Sequence, residues 1–243
     1  MAQTTEKMPD TTPLTLAERA LEIERILNQV YGAPFLFFSR KDPFSQLVSA
    51  LLSHRTKNKI SSAAYHSLWE KYGDWQAVID APTEEVEEAI KVCTFPEVKA
   101  PRIQEALAKI KERTGELSLD FLSEMSVPDA RAWLEEIKGI GAKTSAAVLN
   151  FSRLRMPALV VDTHHQRVAQ RTGVVPKKAS IERASKLLQS YLPEDYTGQQ
   201  VYDAHQAYMR HGQRICTWSN PKCEQCAVRH LCDYYAERFG VGG

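Results

Sequence analysis

Lys143 and Asp162 are the two residues of this 243-residue chain whose types and positions best suit covalent chemistry. Lys143 falls in the first turn of a predicted helix, where the helix dipole disfavours a positive charge and so favours the neutral amine that nucleophilic attack requires. Partial burial would favour the neutral amine further. A surface lysine that only contacts phosphate explains the same position, so this feature alone leaves both interpretations open.

Asp162 ends the apolar run 158–161 and precedes a helical stretch. An aspartate at such a position is usually a helix N-cap, and capping alone would explain it. It also follows Lys143 by nineteen residues. A helix-starting lysine and an aspartate directed by a buried segment are suited to placing an amine and a carboxylate on either side of a sugar.

The turn before Lys143 contains Gly139, Ile140 and Gly141. Two glycines around one apolar residue let the chain reverse tightly, expose consecutive backbone N–H groups and pack Ile140 between two helices. Together with the positive end of the next helix, such N–H groups form a phosphate site. Helical hairpins also contain glycine for steric reasons alone, so the surrounding pattern has to decide.

Four of the five cysteines lie within 17 residues, at Cys216, Cys223, Cys226 and Cys232. The odd total and the clustering favour a metal site in a reducing compartment over a disulfide framework. Four thiolates suit a 4Fe-4S cluster or structural zinc. The single Cys-x2-Cys pair favours the cluster and leaves zinc open. Cys93 is interpreted as a core thiol.

Charge is unevenly distributed although the net charge is only +1. Residues 115–137 contain six acidic residues and one basic residue, whereas residues 138–186 contain ten basic and two acidic ones. The basic stretch predicts a face for phosphates, with an ordinary solvated surface as the alternative. No run of 18 apolar residues or leader-like segment occurs, so we expect a cytoplasmic address and no membrane partner.

Helical periodicity dominates the chain and predicts an all-α fold of roughly ten helices. The first helix is expected from Leu16, with Thr15 as cap and Gly32 as stop, and the second from Asp42-Pro43. Further helices are predicted from caps near Thr56, Asp74, Thr83 and Pro101, and over 129–137, 143–151, 181–191 and 202–211. Residues 158–161 are the only strand candidate, and residues 1–13 are predicted to be a disordered tail.

Three features together resemble the endonuclease III family of helix-hairpin-helix DNA glycosylases: the turn 137–144, the segment Val161-Asp162-Thr163-His164, and the 6-2-5 cysteine spacing. The resemblance covers about Leu14 to Tyr235. It implies two α-helical domains with DNA bound across the cleft between them. One would be a six-helix barrel over 42–157, with the helix-hairpin-helix at about 129–151. The other would join 14–41 to 158–243 and carry the cluster loop 216–232.

The resemblance also implies the chemistry. The enzyme would be a monomeric, bifunctional glycosylase and AP lyase that removes an oxidised or otherwise modified pyrimidine from double-stranded DNA and cuts the abasic strand by β-elimination. Lys143 would form the Schiff base, Asp162 would assist, and the four clustered cysteines would hold a 4Fe-4S cluster. The residues expected to contact DNA are Gly139, Ile140, Gly141, Thr144, His54, Arg55, Lys57, Phe95 and His164.

The chain departs from the family pattern at the residues that enter DNA. Family members often carry an alanine-glutamine pair where this chain has His54-Arg55, and an aliphatic residue where it has Phe95. Lys138 replaces a common proline. We therefore expect the chemistry to be shared and the recognition of the lesion and of its partner base to be individual. Arg55 is interpreted as a sensor of the opposite base, with contacts of Arg55 and Lys57 to phosphates alone as the alternative.

Two other functions compete with this interpretation. A mismatch-directed adenine glycosylase shares the fold and the cluster, but it is expected to lack Lys143 and to carry an additional C-terminal domain. An iron–sulfur DNA-binding or redox-sensing protein with little catalysis would have an unreactive Lys143.

Overall fold

A computed structural model describes residues 13–36 and 41–240 of the chain. In these ranges it contains twelve α-helices, three short 3₁₀ turns and no β-strand, which confirms the predicted all-α class. The predicted tail lies outside the described residues, except for Pro13. The helices are α1 Leu16–Tyr31, α2 Pro43–Ser53, α3 Asn58–Tyr72, α4 Trp75–Asp80, α5 Thr83–Ala89, α6 Pro96–Thr114, α7 Val127–Glu135, α8 Ala142–Phe151, α9 Thr163–Arg171, α10 Ile181–Ser190, α11 Gly198–Arg214 and α12 Asp233–Phe239.

Local capping explains where the first two helices begin and end. Thr15 caps α1 in a capping box with Glu18, and Gly32 ends it with a left-handed φ of 76° that glycine adopts at little cost. Asp42 caps α2 through a 2.9 Å bond from Ser45 N, and Pro43 occupies the first helical position. These bounds are the ones that the sequence predicted.

The predicted start of α6 near Pro101 is wrong, because the helix begins at Pro96 and Pro101 lies inside it. Phe95, at the N-cap, has a left-handed φ of 58°, and this bend separates α6 from the preceding turn. Pro96 then occupies a first-turn position, where its missing N–H costs nothing.

Residues 158–161, the strand candidate, form neither a strand nor a helix in the described part of the chain. Side chains satisfy their backbone instead. Leu159 N donates to Gln189 Oε1 at 2.7 Å, and Val160 O lies 2.8 Å from His205 Nδ1. The helices on either side therefore replace the neighbouring strands that a sheet would need.

Two hydrophobic cores are found on either side of this segment. The first is formed by α2 to α8, and the second by α1, α9, α10 and α11 with part of the cysteine loop. Ala158 and Val160 pack into the first core, whereas Leu159 and Val161 pack into the second. We propose that the cores are two domains with the predicted bounds, 42–157 and 14–41 plus 158–243.

A search of the described residues finds no helix with the length and apolar character needed to cross a membrane.

Candidate active site and DNA-contacting loops

Lys143 and Asp162 line the same cleft, which has a volume of about 420 Å³ and lies between the two cores. This volume falls within the range of roughly 300–1,000 Å³ that is usual for ligand sites. The walls come from the end of α2, the start of α3, α8 and α11, and they include Ser53, His54, Asn58, Thr144, Phe151, Tyr202, His205, Gln206 and Arg210. The fold thus brings together a lysine and a carboxylate that are distant in sequence.

Lys143 is exposed, so burial within the free protein does not favour the neutral amine. It lies in the first turn of α8, and the residue before that helix is Gly141, which caps it without a side chain. Thr144, the next residue, is buried at 3% exposure. The start of α8 is therefore packed into the protein through Thr144, while the amine of Lys143 remains accessible to a large substrate.

The turn before α8 is held by its own backbone. Ile140 N donates to Ile137 O at 3.0 Å, and the Ile140 side chain is buried in the first core. Gly139 has a φ of +91°, a conformation that L side chains rarely adopt. No atom lies within 4 Å of a Cβ built on Gly139 or Gly141, so space above the turn is open to a phosphate.

Asp162 is both a helix cap and a cleft residue. Its Oδ1 accepts a 2.8 Å hydrogen bond from His165 N at the start of α9. Its Oδ2 has no hydrogen-bond partner among the described residues and is left for a ligand. Burial tends to raise the pKa of Asp162, but the His205 ring and the bond from His165 N outweigh it, so this pKa lies below its usual value. The carboxylate is therefore charged at neutral pH.

His205 is a cleft residue that the sequence did not reveal. Its Nδ1 lies 2.8 Å from Val160 O, and because a carbonyl can only accept, Nδ1 carries the proton. Burial lowers the pKa of His205, so the ring is neutral and Nε2 keeps its lone pair. His205 follows Asp162 by 43 residues without a local motif. Only the packing of α11 on α9 places it in the cleft.

His54 joins this cleft to a second cavity of about 310 Å³. Its Nε2 lies 2.9 Å from Thr144 Oγ1, next to Lys143. Burial lowers the pKa of His54, and the positive charge of Lys143 lowers it further. The second cavity is lined by Leu51, His54, Arg55, Phe95, Val98, Lys99, Arg102 and Gly139.

Arg55 and Phe95, which we call the wedge pair, face each other across this second cavity. The Arg55 guanidinium lies 5.4 Å from the centre of the Phe95 ring, within the range of a cation–π contact. Both residues have left-handed φ angles, 53° and 58°. That conformation costs a non-glycine residue roughly 1–2 kcal/mol. Strain of this kind concentrates at functional sites.

The structure does not bring Lys57 and His164 into either cavity. Lys57 is the exposed N-cap residue of α3. His164 Nδ1 lies 3.1 Å from Arg167 Nη2, and Arg167 Nε donates to Cys216 O at 2.9 Å. His164 therefore faces the cysteine loop, while Lys57 lies two residues after Arg55 and is open to solvent.

The four clustered cysteines line one small cavity beside Arg171 and two tyrosines. Arg171 Nη1 donates to Cys216 Sγ at 3.3 Å, and His211 Nε2 lies 3.5 Å from Cys226 Sγ. Cys93 is elsewhere, buried in the first core at 5% exposure, as expected of a core thiol.

In the described part of the chain, no group of three or more cysteine, histidine or acidic side chains could hold a single metal ion. The loop nevertheless brings all four cysteines to the wall of one cavity, and four thiolates are the ligand set of either a 4Fe-4S cluster or structural zinc.

A family model described as "HhH-GPD superfamily base excision DNA repair protein" matches residues 48–194, which include the turn, Lys143 and Asp162. The chain belongs to this superfamily. An endonuclease III of Thermotoga maritima is 34% identical over 197 residues, covering 81% of this chain and 85% of the relative. Endonuclease III of Escherichia coli is 28% identical over 217 residues, covering 89% and 95%. This HhH-GPD protein is thus a base excision repair enzyme of the endonuclease III type, a DNA glycosylase with AP lyase activity.

Solved structures share the fold. A trapped covalent intermediate of endonuclease III with DNA, described as an estranged-adenine complex, superposes with a TM-score of 0.75. It is 24% identical and covers 93% of this chain and 99% of its own. A thermostable thymine-DNA glycosylase superposes with a TM-score of 0.72 at 23% identity, covering 90% and 97%. The predicted fold and the predicted family are therefore both confirmed.

Proposed function

We propose that this enzyme removes a damaged pyrimidine from duplex DNA through attack by Lys143, assisted by Asp162, and then cuts the strand at the abasic site. The observation that carries the proposal is the cleft that the two side chains share between the two cores. A damaged base cannot be reached inside a duplex, so the nucleotide must first leave the stack. The cleft has the volume to receive it.

The first chemical step breaks the glycosidic bond. Lys143 Nζ, as the neutral amine, attacks C1′ of the sugar, and the base leaves with the bonding electrons and takes up a proton. Positive charge develops on the sugar as that bond lengthens. The Asp162 carboxylate, charged at neutral pH and with Oδ2 uncommitted, stabilises this charge.

The second step uses the covalent product. Loss of a proton from nitrogen and opening of the sugar ring give a Schiff base between Lys143 and C1′. The positively charged imine acidifies the C2′ proton, and its removal expels the 3′ phosphate by β-elimination. Hydrolysis of the imine then releases Lys143. The space beside Gly139 and Gly141 is open, so the backbone N–H groups of this turn are suited to hold the flanking phosphate in place.

Lys143 is exposed in the free protein. An extrahelical nucleotide that fills the cleft would cover the side chain, and removal from water favours the neutral form of an amine. We therefore place the activation of Lys143 in the DNA complex.

We propose that Cys216, Cys223, Cys226 and Cys232 hold a 4Fe-4S cluster. Burial and the neighbouring cysteines raise the pKa of Cys226 to about 11, so this thiol would stay protonated without a metal centre. The bond from Arg171 to Cys216 suits an anionic sulfur. When bound, the cluster supplies four covalent ties that fix the loop 216–232, and the residues of the cleft need no electron transfer for their reaction.

The DNA surface includes both loops around the second cavity. We propose that Arg55 and Phe95 enter the space left by the extruded nucleotide, with His54 and Thr144 joining them to the cleft. Lys57 would contact the DNA backbone next to the Arg55 loop, and His164 would contact DNA from the side of the cysteine loop. The partner is double-stranded DNA with a damaged base or an abasic site. We expect a monomer acting where the DNA is, in the cytoplasm.

Borohydride trapping tests the proposal. The protein is incubated with a duplex that carries a preformed abasic site, and the Schiff base is reduced to a stable covalent complex. Lys143→Gln should abolish trapping while DNA affinity falls little, because one positive charge among many is removed. Lys138→Gln, five residues away and exposed, is the matched control. Wild-type protein that binds the duplex but is not trapped would support the non-catalytic DNA-binding alternative.

The same assay extends to the lesion. A panel of duplexes, each with one modified base, is incubated with the enzyme, and base release is measured before strand cleavage. Release of oxidised pyrimidines in preference to alkylated purines is expected. Release of normal adenine from a mismatch, with no trapping, would instead indicate a mismatch-directed glycosylase.

A further inference from the structure

Lys99 is a buried lysine that the proposed reaction does not use. It is 6% exposed and lies on α6, four residues after Phe95. No acidic side chain of the described residues forms an ion pair with it. Burial lowers the pKa of Lys99. An ammonium group without a nearby counter-ion is costly to bury unless hydrogen bonds compensate it.

Two short hydrogen bonds replace the counter-ion. Lys99 Nζ donates to Leu52 O at 2.7 Å and to Thr56 Oγ1 at 2.7 Å. Leu52 lies in the last turn of α2, where carbonyl groups lack partners within the helix and carry the negative end of the dipole. Thr56 lies in the loop that follows. A single lysine of α6 therefore holds both the end of α2 and the loop after it.

Thr56 strengthens this connection. Its Oγ1 also accepts a 3.2 Å hydrogen bond from Thr94 N, and its hydroxyl donates to His54 O at 3.3 Å. Thr94 immediately precedes Phe95, and Thr56 immediately follows Arg55. The two loops are thus cross-linked at the residues adjacent to the wedge pair.

The wedge pair is strained at the same place. Arg55 and Phe95 both have left-handed φ angles and lie within cation–π distance of each other. Without fixed neighbours, non-glycine residues would relax to negative φ, and their side chains would point elsewhere. The contacts of Lys99 and Thr56 are therefore suited to maintain this geometry in the absence of DNA.

We propose that Lys99 is a positioning residue that holds Arg55 and Phe95 as one preassembled wedge, so that both side chains enter the duplex together. The inference rests on the proposed function in so far as DNA is what the wedge enters. Ordering the two loops before binding spares the conformational entropy that flexible loops would lose on insertion. Lys99 itself touches neither the sugar nor the base.

The test compares trapping on two probes, a duplex and a single strand that carry the same preformed abasic site, because only the duplex needs a wedge. Lys99→Met keeps the length and apolar stem of the side chain but removes its donors. We expect trapping on the duplex to slow about tenfold, as for a misplaced group distant from the chemistry, with single-strand trapping changed by less than about twofold. Lys109→Met, an exposed lysine of the same helix, is the matched control and should affect neither.

A double-mutant cycle addresses the coupling directly. Arg55→Ala and Phe95→Ala are combined in the presence of Lys99 and in Lys99→Met, and 2-aminopurine fluorescence next to the abasic site measures insertion. Residues that act as one unit show non-additive effects, so the coupling should be at least about threefold with Lys99 and lost in Lys99→Met. Circular dichroism verifies folding, and Thr56→Val provides a milder break of the same link if Lys99→Met does not fold.

The outcomes separate this inference from the proposed function. Wild-type protein that is not trapped on either probe refutes the lysine chemistry. If wild-type protein is trapped but the coupling between Arg55 and Phe95 is unchanged in Lys99→Met or Thr56→Val, the positioning role of Lys99 is refuted and the lysine chemistry is not. If Lys99→Met lowers the trapping rate per folded molecule equally on both probes, the positioning role is also refuted, because Lys99 would then have a general structural role.

Discussion

The hydrogen bond between His54 Nε2 and Thr144 Oγ1, 2.9 Å long, joins the loop that we propose to enter DNA to the helix that carries Lys143. His54 lines both cavities, and Thr144 follows Lys143 directly. Burial lowers the pKa of His54, so protonation does not break this contact at neutral pH. In the proposed mechanism, this contact connects the loop that replaces the extruded nucleotide to the lysine that attacks its sugar.

Thr144→Val should weaken this connection at nearly constant volume. We expect trapping on an abasic duplex to slow about fivefold, equivalent to one hydrogen bond of about 1 kcal/mol. Thr144→Ser keeps the hydroxyl and should retain the wild-type rate. The measurement is single-turnover trapping, with rates expressed per folded molecule. Equal rates for the valine and serine variants would show that the contact is incidental.

Asp162 combines a cap with a catalytic carboxylate, and two substitutions separate these roles. Asp162→Asn retains the bond to His165 N, since asparagine caps a helix about as well as aspartate. It should keep the melting temperature but slow base release about a hundredfold, because the charge facing the sugar is lost. Asp162→Ala should be equally slow and also less stable by about 1 kcal/mol. Full activity in the folded asparagine variant would leave Asp162 as a cap alone.

Local signals predicted much of this fold from the sequence. The bounds of α1 follow from Thr15 and Gly32, because capping depends on residues within one turn. The start of α6 was predicted incorrectly, since no sequence rule places a phenylalanine in the left-handed region. That conformation is maintained by contacts from a loop about forty residues earlier.

Motif and spacing predicted the candidate lysine and aspartate, but they could not predict how the site is completed. The exposure of Lys143 depends on how the two cores meet, which no local pattern describes. His205 and Lys99 have neighbours in sequence that are typical of helix surfaces, and they are buried because α11 and α6 pack against distant elements. Long-range packing, in contrast to capping, leaves little trace in a single sequence.

The cysteine loop gives a spectroscopic prediction. Purified protein should be brown, with the broad visible absorbance of a cluster bound by four thiolates. Cys223→Ser should lose this colour together with the iron, whereas Cys93→Ser should keep it, because Cys93 lies in the other core. Metal analysis by mass spectrometry gives the second readout. Colourless protein with one equivalent of zinc would contradict the cluster assignment.

Glu24 predicts a pH dependence of stability. This residue of α1 is 6% exposed, and burial raises its pKa to about 7 despite hydrogen bonds from Tyr196 and Asn28. The folded-state pKa lies above 4.5, the usual value of a glutamate side chain, so the native state binds the proton more tightly than the unfolded state. The contribution of protonated Glu24 to the free energy of unfolding is on the order of 3 kcal/mol. It is fully present below about pH 4.5 and is lost as the pH rises through about 7.

Urea unfolding at pH 6 and pH 8 measures this effect, and Glu24→Gln provides the comparison. We expect wild-type protein to be less stable at pH 8 than at pH 6, and the glutamine variant to lose most of that difference, because glutamine stays neutral at both values. Glu22→Gln, an exposed pair with Arg25 on the same helix, is the control. An identical pH dependence in the Glu24→Gln variant would assign the effect to other groups.

Arg55 predicts an individual preference for the base opposite the lesion. Its planar guanidinium can stack on neighbouring bases and donate two hydrogen bonds to a guanine edge, which glutamine cannot do in the same way. The wall of the second cavity also contains Arg102, which is a second cationic donor. Such a set of groups suits a base edge rich in acceptors, and we expect faster release of a lesion opposite guanine than opposite adenine.

Arg55→Gln should therefore change the ratio of rates among the four opposite bases more than it changes cleavage at a preformed abasic site. The measurement is single-turnover release of one lesion placed opposite each base in turn. Lys57→Gln, on the rim of the same loop, is the control and should reduce all four rates together, with a shallower salt dependence of binding. If Arg55→Gln produces that uniform loss as well, Arg55 contacts phosphates and does not read the base, since a lost phosphate contact weakens binding equally for every sequence.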